Sequence, residues 1–147
     1  EVREKLPTSK EELPIDSSTL MTYVTKDPNY IKLLDEIKLL DVPINFNINS
    51  SYLSTVVQRA KRLGLKTIGD IDELLEKYKD IFLRVWEIEM DIVHYTDISA
   101  LAPLLHITSV LESVEGIDVS DEEFIKISDK QFSEEFGISY PTDVYKS

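Results

Sequence analysis

The residues of this chain with the widest chemical reach are its two histidines, His94 and His106, set among a surplus of carboxylates. Glu87, Asp91 and His94 stand at i, i+4 and i+7. On a helix they share one face, and three oxygen or nitrogen donors on one face form a partial ligand set for a divalent ion. Neither an H-E-x-x-H pair nor EF-hand spacing accompanies them. With 28 acidic residues among 147, such triplets arise by chance, so the face reads as solvated and acidic, and neither a metal nor any other cofactor is expected. His106 lies among Leu104, Leu105 and Ile107, which reads as a partly buried core histidine and not as a catalytic base. The acidic clusters Asp70, Asp72, Glu73 and Asp121 to Glu123 each open a predicted helix, where negative charge interacts favourably with the helix dipole. No G-x-S-x-G elbow, phosphate-cradling G-x-x-x-x-G-K-[ST] or G-x-G-x-x-G run is present, and four glycines leave little room for one. The reading is of a chain that is not an enzyme.

Two groups of side chains remain as binding candidates. Ser50 to Lys66 contains Arg59, Lys61, Arg62 and Lys66 and no acid, a local basic patch suited to phosphate contact or to pairing with acidic surface elsewhere in the chain. Phe82, Trp86 and Met90 are residue types enriched among interface anchors, but they sit in an apolar-rich stretch for which burial in the domain's own core is the favoured reading, with a long-helix dimer seam as the alternative.

These side chains need elements to position them. Asp27-Pro28 combines an N-cap with proline at the first helical position, and Ile31, Leu34, Ile37 and Leu40 follow at every third residue, with Leu33 widening the stripe, until Pro43. A shorter helix is expected after Ser17 or Ser18. Leu53, Val56, Val57, Ala60 and Leu63 fall on one stripe of a helix starting near Asn49 or Ser50 and ending at Gly64. Thr67 to Asp70 is a capping pattern, with Ile71, Leu74, Leu75 and Tyr78 on the buried side of the helix it opens. From Ile81 to Tyr95 helical and strand periods coexist, and the length of the apolar pattern favours helix. Asp97 is a candidate cap for a helix through Val114, with Pro103 as a kink or as its true start and Gly116 as its stop. Ser120 to Glu123 repeats the capping pattern, and a last short helix is expected over 128–136. Residues 44–48 alternate as a short extended segment.

The fold class expected is therefore all-α (mainly): a compact multi-helix domain over 17–138, with an extended arm at 1–16, a tail at 139–147 and one helix-hairpin-helix-like unit. The length suits one domain that buries about 68–70% of its unfolded surface. Hydrophobic residues make up 42% and charged residues 30%, and the net charge is −12, which opposes non-specific nucleic-acid binding. The chain has no cysteine, so thiol chemistry is excluded and a cytoplasmic setting is favoured. No apolar run suffices for a membrane span, so no membrane partner is expected. A start at Glu1 and not Met reads as a piece of a longer intracellular protein.

The stretch QRAKRLGLKTIGDIDELLEKY, Gln58 to Tyr78, resembles the first helix-hairpin-helix of the C-terminal domain of the bacterial RNA polymerase alpha subunit, centred on Leu63-Gly64-Leu65 and Thr67 to Asp70. The resemblance covers about a seventh of the chain and puts Lys61 at a position expected to be basic. The family's minor-groove arginine would fall at or near Thr55, and its second phosphate-binding turn would fall where this chain reads RVWEIE, Arg84 to Glu89. What it implies here is a retained scaffold without the main DNA anchors. The function expected is a non-catalytic helical protein-interaction or regulatory module whose partner is another protein, an adjacent domain of the parent chain or a second copy. The alternative is a nucleic-acid-binding module on the basic helix 50–66.

Overall fold

The computed structural model describes residues 11–46, 48–93 and 97–136. Among these, six helices and one two-strand ladder follow in the order α1 (Ser17–Lys26), α2 (Pro28–Lys38), β1 (Ile44–Asn45), α3 (Ser50–Arg62), α4 (Ile68–Val93), β2 (Ile98–Ser99), α5 (Ala102–Ser113) and α6 (Asp121–Phe136). The protein is mainly α-helical, as its periodicity predicts.

Local chemistry sets most helix starts. Asp27 Oδ2 accepts from the Asn29 amide at 3.0 Å with Pro28 in the first turn, and Asn49 Oδ1 accepts from the Ser51 amide at 2.8 Å. Thr67 and Asp70 exchange hydrogen bonds between side chain and backbone in both directions, closing the capping box at the head of α4. The first helix is capped by Asp16 and not by either serine after it: Asp16 Oδ1 accepts from the Thr19 amide, while Thr19 Oγ1 accepts from the Asp16 amide. Gly64 turns the chain between α3 and α4 at φ +85°, a conformation that side chains with a Cβ disfavour. After α5 the left-handed residue is Glu115 (φ 58°), one position ahead of the expected Gly116.

The 26-residue α4 is the axis of the core. It merges the segments 71–78 and 81–93 into one helix, since neither glycine nor proline interrupts them and both place apolar residues on the same side. Ile71, Leu75, Phe82 and Val85 are fully buried, and each such side chain is worth about 1.5–3 kcal/mol of burial. Helices α1, α2, α5 and α6 all pack on it. In α2 the buried stripe is Tyr30, Leu33, Leu34 and Ile37, because a helix advances 3.6 residues per turn and not three, and this leaves Ile31 and Leu40 only half-buried. Similarly α6 is one helix from Asp121, not a cap followed by a separate turn at 128.

Two expected features shift. The alternating segment becomes the edge-to-edge pairing of β1 with β2, parallel, with Ile44 opposite Ile98 and Asn45 opposite Ser99. This takes the place of a helix capped by Asp97, and α5 begins with Pro103 in its first turn. The described end of the N-terminal arm is anchored to the body: Ile15 is buried, Pro14 bridges Thr67, and the Leu13 carbonyl accepts from the Ile68 amide at 2.9 Å. Gly69 permits this approach, since a Cβ there would lie 3.0 Å from the Glu11 Cα.

Candidate functional site

Helices α4, α5 and α6 each send an aromatic ring to one wall of an open cleft of about 880 Å³, which the β1–β2 ladder and the first turns of α3 close from the other side. The rings meet because their spacing is helical: Phe82 and Trp86 are one turn apart on α4, and Phe124, Ser128 and Phe132 recur at every fourth residue of α6. His106 of α5 inserts among them, 5.0 Å from Phe132, 5.8 Å from Phe82 and edge-on to Trp86 at 6.1 Å between centroids. Trp86 and Phe132 also meet edge to face at 5.8 Å. Such arrangements contribute about 0.5–1.5 kcal/mol each beyond area burial.

The rim is polar and largely uncharged. Asn45, Asn49, Tyr52, Ser99, Ser109 and Gln131 line it, and the charged lining is one cation, Arg59, and one acid, Asp97. Gln131 Nε2 is held by Ser113 Oγ at 3.0 Å. Asn49 Oδ1 is occupied by the Ser51 amide and hydroxyl.

His106 Nε2 lies 2.9 Å from Ser128 Oγ. A hydroxyl beside an imidazole is half of a nucleophilic pair, but Ser128 is 0% exposed, so no substrate carbonyl can approach it. Desolvation among the rings pushes the His106 pKa down to about 3, which keeps the ring neutral at ordinary pH. The ring is nevertheless not wholly enclosed, and part of it faces the cleft. The cleft therefore presents neutral donors and acceptors beside an aromatic floor.

The basic candidates divide into two pairs. Arg59 and Arg62 both turn to Glu112 of α5: Arg59 Nε lies 3.7 Å from Oε1, and Arg62 Nε donates to Oε2. Arg59 Nη1 also donates to the Leu105 carbonyl at 2.8 Å. The hydrogen bond from Arg62 holds Glu112 below the usual carboxylate range. Lys61 and Lys66 are exposed. Of the apolar candidates, Phe82 is fully buried and Trp86 is 5% exposed, so both belong to the core, and Trp86 also lines the cleft. Among the described residues the apolar side of α4 packs inside the chain. The Met90 side chain lies outside the described parts, as does His94 of the candidate metal triplet; Glu87 and Asp91 are exposed. Glu89, between these two acids, is fully buried.

Residue chemistry alone did not single out Phe132, Ser128 or the amide rim. The four-residue spacing of Phe124, Ser128 and Phe132 was the available signal. No protein-family model matches the sequence, and no curated protein or solved structure matches it. No described helix is long and apolar enough to cross a membrane.

Proposed function

We propose that this chain is a helical protein-interaction module, acting by binding and not by catalysis, whose cleft receives an extended, uncharged segment of a partner protein or of an adjacent domain. The observation that carries this reading is the pairing of an aromatic floor (Trp86, His106, Phe132) with a rim of amides and hydroxyls. Peptide groups need both donors and acceptors, and Asn, Gln, Ser and Tyr side chains supply both. An apolar side chain of the segment would find the floor. Small-molecule sites enclose most of their ligand, whereas this cleft is open to solvent, which suits a chain segment lying in it. The charge pattern agrees: in a molecule of net charge −12 the cleft itself carries one cation and one acid. Tyr52, 42% exposed at the mouth, is a residue type favoured at such contacts.

The test is selection of random linear peptides on the full chain, followed by titration while the emission of Trp86, the only tryptophan, is recorded. Selected peptides rich in uncharged residues that shift the emission saturably support the reading. Peptides that bind without moving it, or a selection that yields only acidic sequences directed at Lys61 and Lys66, would overturn it.

A further inference from the structure

The buried hydroxyl of Ser128 constrains its neighbour in a way that reaches the cleft. Hydroxyls of buried helical residues commonly donate to a carbonyl one turn back, as Thr108 does to Leu104 at 2.6 Å. Ser128 has no such bond; its one hydrogen-bond neighbour among the described residues is His106 Nε2. If Nε2 carried the proton and donated to Ser128 Oγ, the serine hydrogen would be buried without an acceptor, at the cost of its desolvation. If Ser128 donates to Nε2, that cost is avoided. A neutral imidazole has one N–H, so the proton then sits on Nδ1. Nδ1 makes no hydrogen bond within the described residues, and unlike Glu36 Oε2 and Asp129 Oδ1 it is not closed off from solvent. The exposed part of the ring is on the cleft wall.

We propose that Ser128 fixes His106 as the Nδ1–H tautomer and that this N–H is a recognition donor, binding a main-chain carbonyl oxygen of the segment that occupies the cleft. This rests on the peptide-binding reading above and names the atom that discriminates. The donor is rigid, because the ring is wedged between Phe82, Phe124 and Phe132, and it is neutral, so it binds an amide carbonyl without requiring an anion. The neighbouring uncharged rim groups favour the same class of ligand. A free carboxylate would instead bring uncompensated charge into a cleft whose cation, Arg59, already faces Glu112.

Two measurements on the full chain test the proposal. The first is the tautomer of His106, read from the ring nitrogens by long-range nitrogen–proton NMR and assigned by its loss in His106→Gln. The wild type is expected to show Nδ1–H, and Ser128→Ala to lose that preference. An Nε2–H ring, or an even mixture in the wild type, overturns the proposal. The second compares a selected peptide on two variants: His106→Gln keeps an amide in reach of Ser128 but withdraws the cleft donor, while His106→Asn places an amide nitrogen near the Nδ1 position. Binding is expected to weaken about tenfold in His106→Gln, in line with loss of one hydrogen bond, and to recover in His106→Asn. Equal binding to wild type and His106→Gln, with the Trp86 response intact, overturns the recognition role and leaves the cleft reading standing. Absence of any peptide that moves Trp86 overturns the cleft reading and the recognition role together, whatever the tautomer.

Discussion

Acid should weaken this protein through the buried imidazole of His106. In the unfolded chain His106 titrates near its ordinary value of about 6.5, whereas burial among aromatic rings holds it at about 3 in the folded state. A histidine whose pKa is lowered by folding contributes nothing unfavourable above about pH 6.5. Below that, the unfolded chain binds a proton that the folded chain refuses, so stability falls as pH falls, by about 1.4 kcal/mol per pH unit until about pH 3. Between about pH 7.5 and about pH 5 the loss works out to about 2 kcal/mol. The carboxylates held low by partners, Asp16, Glu112 and Asp118, lose stability only as pH drops below their unfolded values, near and beneath the bottom of this window. Asp129, whose pKa is raised by burial, works in the opposite direction. All four are common to the wild type and to His106→Asn, as is His94, so the difference between the two proteins isolates His106. Urea unfolding followed by Trp86 emission at both pH values gives that difference. The wild type should lose about 2 kcal/mol more than His106→Asn on acidification; parallel losses would refute the claim that His106 is desolvated.

Further perturbations follow from single contacts. Gly64→Ala should lower stability by about 1 kcal/mol, about 3 °C in melting temperature, because φ +85° strains any Cβ even though the space around it is open; no change would show that the turn relaxes. Gly69→Ala should cost about 1–3 kcal/mol and expose the arm near Glu11 to proteolysis, because the new methyl meets backbone and not a yielding side chain. Glu112→Gln should cost no more than about 1 kcal/mol, given that Arg62 and Glu112 are 56% and 33% exposed, and an effect above about 3 kcal/mol would mean that the Arg59–Glu112–Arg62 group is better sheltered than its geometry indicates. Duplex DNA should show no binding to the wild type by fluorescence anisotropy at about 50 mM salt; steeply salt-dependent binding lost in a K61E/R62E double variant would establish the nucleic-acid reading instead.

Where a signal was local, it was legible. The caps at Asp27, Asn49 and Thr67–Asp70 and the turn at Gly64 each depend on side chains within a few residues, and each forms as its pattern predicts. The 81–93 segment was ambiguous because alternation and helical period overlap there; packing decides it by burying Glu89 while leaving Glu87 and Asp91 exposed, a division no strand face allows. The β1–β2 pair joins residues more than fifty positions apart, so neither strand could announce its partner. The same distance hid the fate of Arg59 and Arg62, whose acidic neighbour Glu112 lies on another helix. His106 was half legible: its apolar neighbours marked one side of the ring as core, but the cleft on the other side is assembled from α4, α5 and α6 together. Trp86 and Phe82 show that a residue type suited to interfaces says nothing of which side of the domain it occupies.

The most direct test is nitrogen-resolved NMR of the full chain titrated with a selected peptide. Saturable, concerted shifts of the Trp86 indole, the side-chain amides of Asn45, Asn49 and Gln131 and the His106 ring, with the Lys61 and Lys66 amides unmoved, are the predicted result. Shifts confined to the exposed face of α3, or spread without saturation over the surface, would contradict the account.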